Sequence, residues 1–330
     1  MKFKRVLLTG AGGFIGSHLT EELISRGYQV TALVHYNSLN RWGWLESLPD
    51  DMLKMVDVCP GDIRDPHSVK HSMRSADAVI HLAALIGIPY SYHSPDSYVE
   101  TNIRGTLNVL QAARELNVQQ VLQTSTSEVY GTAQFVPITE LHPLSPQSPY
   151  AATKVGADVL ALSFCKSFEL PITVVRPFNT YGPRQSARAI IPTIITQLLS
   201  GEATLKLGDL FPTRDLTYVE DIVKGFVLAL ECECAFGEVV NLGNNHEISI
   251  GDLAIKIATL LRKDISLMSE ANRIRPEKSE VRRLCACNRK AKDLLKWEPS
   301  VNLDEGISRT IEWFQSSGNL PQYKSSIYNL

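Results

Sequence analysis

The chain has 330 residues, 44% of them hydrophobic and 21% charged, and 33 Lys and Arg set against 35 Asp and Glu leave a formal net charge of -2. That balance gives no net attraction to nucleic acid or to an anionic membrane surface, so a small-molecule partner is expected, with no nucleic acid and no membrane. The apolar share is enough to bury a core without disulfide or metal staples. Six cysteines, Cys59, Cys165, Cys232, Cys234, Cys285 and Cys287, include two C-x-C pairs, but the flanking ligands of a zinc site are missing, so reduced thiols and no metal are expected. The apolar run at the start is too short for a signal sequence, and no stretch approaches the about 20 apolar residues of a membrane helix; a cytoplasmic location is expected.

In chain order, residues 6–9 form a short apolar run, followed by a glycine cluster, helical spacing at 17–26, Gly27, and a second apolar run at 30–34. This is a β-α-β unit. The same alternation predicts strands at 78–82, 120–124 and 172–176 with helices at 98–116 and 149–168, the pattern of an α/β, Rossmann-type doubly wound parallel sheet. Beyond Pro177 the pattern loosens, with loops near 183–188 and 208–214 and helices near 192–199, 219–231 and 250–261. Residues 1–177 are expected to form a dinucleotide-binding domain to which 218–240 return, and 178–217 with 241–330 a smaller C-terminal substrate-binding lobe. Helices 98–116 and 149–168 carry apolar positions on more than one face, which suits a homodimer.

Gly10, Gly13 and Gly16 fall as G-x-x-G-x-x-G between the first strand and the first helix, with Phe14 and Ile15 at the helix mouth. Small residues there let the backbone approach a pyrophosphate, which the free N–H groups and dipole of the helix start then stabilise. Asp62, in a Gly-Asp turn after a further strand, is a candidate partner for an adenine amine, with a helix cap as the plainer reading. The second strand lacks the terminal carboxylate that accepts the ribose hydroxyls of NAD. It runs instead into His35, with Arg41 beyond, and either side chain could face a 2′-phosphate, so NAD and NADP both stay open.

Tyr150 and Lys154 are one helical turn apart and share a face. A phenol titrates near pH 10, so taking a proton from a sugar hydroxyl at neutral pH requires a nearby ammonium, which Lys154 supplies. Thr124, Ser125, Thr126 and Ser127, at the end of a preceding strand, offer hydroxyls to the reacting oxygen.

Together these pieces resemble the extended short-chain dehydrogenases/reductases of the nucleotide-sugar epimerase/dehydratase type. The resemblance covers nearly the whole chain and rests on residues 9–16, Asp62, 81–84, 102–106, 124–131, 150–154, 176–179 and 214–221. It implies Thr126 beside the reacting hydroxyl, Tyr150 as base, and Lys154 on both Tyr150 and the nicotinamide ribose. It implies further that Ile63, Leu82, Ala83, Ala84 and Thr124 line the cofactor and that Asn179, Arg214 and Arg275 meet the diphosphate of a nucleotide-diphospho-sugar.

Glu128 narrows the reaction. The stretch 126–131 resembles the 4,6-dehydratases and the nucleotide-glucuronate decarboxylases, whereas the simple 4-epimerases generally carry no acid there. Once C4 is a ketone, C5–H is acidic, and Glu128 can remove it as water departs from C6. The net reaction is redox-neutral, so NAD or NADP is expected to be tightly held and recycled. Ser127 stands where the dehydratases of deoxythymidine-diphospho-glucose carry an Asp, as it does in the GDP-mannose dehydratases and the decarboxylases; Glu128 then serves as both base and acid. Stretches 88–95, 183–188 and 275–280 look like the nucleotide-linked N-acetylglucosamine 4,6-dehydratases of the legionaminic acid pathway, which would bring Tyr90, Ser91 and Arg188 to the sugar and leave His93 a weaker candidate. The alternatives are a UDP-glucuronate decarboxylase, with Arg188 or Arg275 as the cation beside the C6 carboxylate, then a 4-epimerase, and outside catalysis a nucleotide-sugar sensor.

Overall fold

The computed structural model describes residues 3–316, 318–324 and 327–329. Seven parallel strands lie in the order Val239–Leu242, Ile172–Pro177, Gln120–Thr124, Ala78–His81, Arg5–Thr9, Gln29–His35, Val56–Gly61. Every residue of Ala78–His81, Gln120–Thr124 and Ile172–Pro177 is buried. A parallel sheet covered by helices on both faces requires this. Alternation still decides the side: Val6, Leu8, Ile80 and Leu122 join one apolar layer, and Leu7, Val79 and Val121 the other.

The chain builds outward from Arg5–Thr9 in one direction, then crosses to Ala78–His81 on its other flank, where Thr9 pairs with both Leu33 and His81. Such a reversal opens a crevice at the carboxyl ends of the strands. Two smaller sheets lie outside it, one of Asn179–Tyr181, Thr213–Tyr218 and Glu247–Ser249, the other of Thr204–Leu207 and Ser266–Ser269. No helix among the described residues is long and apolar enough to cross a membrane.

The structure moves several expected boundaries. The first helix is Phe14–Ser25, because Gly13 is already its N-cap; it stops where Gly27, at φ +83°, lets the Gly27 and Tyr28 N–H groups close on the Ile24 and Leu23 carbonyls at 2.8 and 3.0 Å. The helix expected at 98–116 is interrupted: a wide π-type turn, Val99–Arg104, joins Pro95–Tyr98 to Gly105–Glu115. The wide turn carries Asn102 inward, where its side chain accepts from the Leu85 N–H and donates to the Leu85 carbonyl, both at 2.9 Å, and to Thr153 Oγ1 at 3.0 Å. The loop expected at 208–214 ends early, since Thr213 and Arg214 open the strand Thr213–Tyr218. Further helices include Pro66–Met73, Ile88–His93, Pro149–Phe168, Ile190–Leu199, Val219–Leu230, Ile250–Leu260, Arg289–Leu295 and Leu303–Gln315.

Asp221, fully buried in helix Val219–Leu230, ties the C-terminal region to the sheet. Its carboxylate accepts from the Ser300 N–H and hydroxyl at 3.0 and 2.7 Å and from the Val301 N–H at 2.9 Å. Asp221→Ala strips three donors of their acceptor and should lower the unfolding free energy by about 3 kcal/mol in urea titrations, with Asp221→Asn costing less.

Candidate active site

The glycine turn is built by steric exclusion. Gly10 sits at φ +71°, and a Cβ there would lie 2.8 Å from the Ala83 nitrogen; at Gly16 it would meet the Gly10 carbonyl oxygen at 2.2 Å. Gly13, whose Cβ would come within 3.2 Å of the same oxygen, caps Phe14–Ser25 without a side chain, leaving the N–H groups of Phe14 and Ile15 at the helix mouth. This cradle, which side chains would fill, fits the pyrophosphate of a dinucleotide.

Behind it runs a buried relay. Ala83 donates to Thr9 Oγ1 at 3.1 Å, Thr9 Oγ1 meets His81 Nδ1 at 2.7 Å, and His81 Nε2 meets Thr106 Oγ1 at 3.2 Å. Thr106 itself donates to the Asn102 carbonyl at 2.6 Å. The network therefore requires the His81 proton on Nε2, with Nδ1 accepting from Thr9. Burial first, and the Lys154 charge second, push the His81 imidazole down to about 3.

Along the crevice, Leu82, Ala83 and Ala84 follow the strand end half-buried, and Ile63 packs against Gly105. His35 is exposed at the end of its strand. Asp62 does not cap a helix, since Asp65 caps Pro66–Met73; the Asp62 carboxylate takes the Arg64 guanidinium instead, and that hydrogen bond holds it below the usual carboxylate range. Arg41 is exposed and paired to Glu46 at 2.9 Å.

Helix Pro149–Phe168 starts cleanly, with Ser148 accepting from the Ala151 N–H and Pro149 in the first turn. Its inward face carries Tyr150, Lys154 and Asp158 at successive turns, all buried. Thr126 caps the turn Ser127–Tyr130 by accepting from the Glu128 N–H at 3.3 Å and also hydrogen bonds Tyr150; Ser127 and Glu128 are buried in that turn. Gly131, at φ +64°, closes it where a Cβ would strike the Ser145 carbonyl oxygen. Burial pushes the Tyr150 phenol well above its ordinary range, against the Thr126 hydrogen bond, and the negative charge of Glu128 adds to the rise. Burial lowers the Lys154 ammonium to about 8, with the Asp158 carboxylate opposing, while its Nζ donates to the Thr124 carbonyl at 2.5 Å. Asp158 Oδ2 in turn accepts from Arg176 Nη2 at 2.8 Å and from the Ser125 hydroxyl, and Arg176 Nη1 donates to the Tyr130 hydroxyl at 2.7 Å.

Toward the substrate side the placements divide. Tyr90 is exposed and lies 6.2 Å from the Tyr98 ring, which meets Tyr150 edge-on at 6.3 Å. Arg188 is exposed with its Nη1 close over Gly87. Ser91 is turned inward, donating to the Ile88 carbonyl at 2.7 Å, and His93 is exposed. Asn179 Oδ1 and Thr124 Oγ1 are buried with no partner, which leaves two polar atoms for a ligand. Arg214 and Arg275 converge on Glu280, at 2.9 and 3.5 Å, so a buried carboxylate occupies the face where both were expected to meet diphosphate. Sequence reasoning gave no role to His81, Asn102, Asp158 or Arg176, although the stretches that carry the resemblance contain His81, Asn102 and Arg176, and Asp158 lies one turn beyond Lys154.

A Rossmann crevice with a tyrosine and a lysine one turn apart beside a capped threonine turn defines an α/β protein of the short-chain dehydrogenase/reductase class. The family is narrower still: the GDP-mannose 4,6 dehydratase family matches residues 7–310, and the chain belongs to this family of nucleotide-sugar dehydratases, epimerases and decarboxylases. It is 34% identical to a dTDP-glucose 4,6-dehydratase of Streptomyces antibioticus, over 94% of this chain and 92% of that one. It is 32% identical to a UDP-N-acetyl-alpha-D-glucosaminuronate decarboxylase of Bacillus cytotoxicus, over 96% and 99%. The NAD complex of a UDP-glucose 4-epimerase from Thermus thermophilus superposes with a TM-score of 0.84 at 29% identity, covering 95% of this chain and 99% of that one.

The His81 relay carries a signed pH dependence. Its folded value, about 3, lies below the unfolded 6.5, so the unfolded chain binds the extra proton between those limits and stability falls on acidification through that window. From pH 6.5 to 5 the loss from this one group is about 2 kcal/mol. The urea midpoint of His81→Asn should therefore decline less steeply across that interval than that of the unsubstituted protein.

Proposed function

We propose that the protein is a nucleotide-sugar 4,6-dehydratase that converts a UDP- or GDP-linked N-acetylglucosamine to its 4-keto-6-deoxy sugar, working as a homodimer. The observation that carries the reading is the buried Glu128 carboxylate, only 8% exposed and two residues beyond Thr126, whose charge is felt by Tyr150. A carboxylate so desolvated beside the reacting phenol has a use if a C–H proton must leave, and none in a simple 4-epimerisation. The glycine cradle and the ends of the first four strands would hold a nicotinamide dinucleotide, which supplies a hydride acceptor at C4 and returns the hydride at C6. Tyr150 takes the C4 hydroxyl proton, aided by Thr126, while the Lys154 ammonium stabilises the phenolate. Glu128 then takes the C5 proton and delivers it to the departing C6 hydroxyl, so that water leaves, and once C6 has received the hydride the proton held by Tyr150 is returned to C5. Asn179 with Oδ1 unpaired, Arg188 and Tyr90 face the sugar nucleotide, and Arg214 and Arg275 reach its diphosphate when it displaces Glu280. NAD is favoured over NADP because Arg41 and Arg64, the cations near the strand ends, are engaged with Glu46 and Asp62 and so are not free to meet a 2′-phosphate. Exposed Val99, Val159 and Phe168, on the two helices that flank the catalytic face, suit pairing with a second copy.

One observation favours a second reading. The Arg188 guanidinium comes within reach of Gly87 and its charge acts on Tyr98, the ring that packs against Tyr150. A cation there could meet the C6 carboxylate of a nucleotide-linked uronic acid, as a decarboxylase requires.

The test incubates purified protein, without added cofactor, with UDP-N-acetylglucosamine, GDP-N-acetylglucosamine and UDP-glucuronate separately and follows product mass. Loss of one water from an amino sugar is expected, with Glu128→Gln and Tyr150→Phe each slowing turnover by about 100-fold or more. Loss of carbon dioxide from the glucuronate would replace the dehydratase with the decarboxylase, and an unchanged mass with an inverted C4 would replace both with an epimerase.

A further inference from the structure

The outer wall of the glycine turn is supplied from far along the chain. The loop after strand Gln29–His35 folds back so that the Trp44 N–H donates to the Gly12 carbonyl at 2.9 Å. The two backbones touch at this point: a Cβ on Gly12 would lie 2.4 Å from the Trp42 carbonyl oxygen, and one on Gly43, at φ +66°, would lie 2.4 Å from the Gly12 oxygen. The turn is thereby clamped between Ala83 at Gly10 and residues 42–44 at Gly12. The second jaw is itself held by aromatic rings. Trp44 meets Trp313 edge-on at 5.5 Å and stacks on Tyr323 at 6.5 Å, and Tyr323 packs edge-on against Phe314 at 4.8 Å. The Tyr323 hydroxyl donates to the Gln185 carbonyl at 2.7 Å. The neighbouring Arg184 pairs with Glu21 on the first helix at 2.9 Å, and His18 of that helix meets the Pro183 carbonyl at 3.0 Å.

We propose that Trp44, Trp313 and Tyr323 form an aromatic clasp that holds the glycine turn shut on a bound dinucleotide and so sets how long the cofactor is retained. The inference rests on the dinucleotide reading of the glycine cradle. The clasp residues are positioning residues: they act on the ligand through the Gly12 backbone, which the jaw at residues 42–44 fixes in the shape that holds a pyrophosphate. Trp313 and Tyr323 come from the C-terminal part of the chain and Gln185 from the loop that leads to Arg188. A redox-neutral reaction gains from such a device, because a cofactor that is never exchanged needs slow release more than fast entry.

The experiment uses the full chain as purified. Nicotinamide dinucleotide released by denaturation gives its content per chain, its loss during dialysis gives the release rate, and UDP binding and the thermal midpoint are measured alongside. Trp44→Ala and Tyr323→Ala should each release the dinucleotide about tenfold faster, the weight of one or two aromatic pairs, with UDP affinity and midpoint little changed. Tyr323→Phe keeps the ring and should stay within about threefold of the parent. Should Trp44→Ala fail to fold, Tyr323→Ala decides alone. Release at the parent rate from folded Tyr323→Ala overturns the clasp, as does faster release accompanied by an equal loss of UDP binding and a lowered midpoint, which marks general loosening. An unsubstituted protein that neither carries nor binds dinucleotide sinks the cofactor reading and the clasp with it; a retentive parent with unchanged variants sinks the clasp alone.

Discussion

Two cations and two carboxylates, Lys154, Arg176, Asp158 and Glu128, lie buried at the carboxyl ends of the central strands, and the rest of the structure is arranged around keeping them there. Isolated charges in such a place would cost far more than the fold's margin of stability. They are tolerated because they sum to zero and because the cations are met by partners: Arg176 by Asp158, Ser125 and Tyr130, Lys154 by the Thr124 carbonyl. Tyr130 passes the chain on to Asn241, in the edge strand Val239–Leu242, at 2.8 Å. The seventh strand thus completes a polar network as well as a sheet.

The same neutrality bears on chemistry. A phenol at Tyr150 adds nothing to the sum, whereas a phenolate would leave it negative, and burial holds the group protonated in the free chain. An oxidised nicotinamide bound in the crevice would bring the positive charge that restores balance, so proton removal by Tyr150 and cofactor occupancy would favour one another electrostatically. The neutral His81 relay keeps a further charge out of this region while fixing Thr9 and Ala83 against the glycine turn. Geometry on the cofactor side and charge on the substrate side are in this way settled by one set of buried contacts.

The parallel sheet, the glycine turn and the Tyr150–Lys154 helix were legible because each has a period or a steric demand written into adjacent residues. The features that escaped are set by partners distant in sequence. Nothing local marks the wide turn at Val99–Arg104, whose helical spacing continues unbroken; it exists because Asn102 is drawn to Leu85 and Thr153. Arg214 and Arg275 read as anion ligands by their charge, and only the fold reveals that Glu280, 66 residues beyond Arg214, lies between them. The short helices Arg289–Leu295 and Ile88–His93 follow tertiary packing more than propensity, which is weak at that length.

The arrangement also explains why relatives of similar identity carry names of three different reactions. Oxidation at C4 is common to epimerisation, decarboxylation and dehydration, and in the proposed reaction it would draw on Tyr150 and Lys154 of helix Pro149–Phe168, on Thr126 and on the glycine turn. In the proposed reaction the later steps would depend on Glu128 on a single turn, Arg188 on an exposed loop and Tyr90 on a short helix. Substitutions at Arg188 and Tyr90, which are exposed, leave the glycine cradle and the Arg176–Asp158 pair untouched, whereas a change at Glu128 also alters the buried charge sum. Whole-chain identity therefore says little about outcome, and on the proposed reading the environment of Glu128 and Arg188 would decide it.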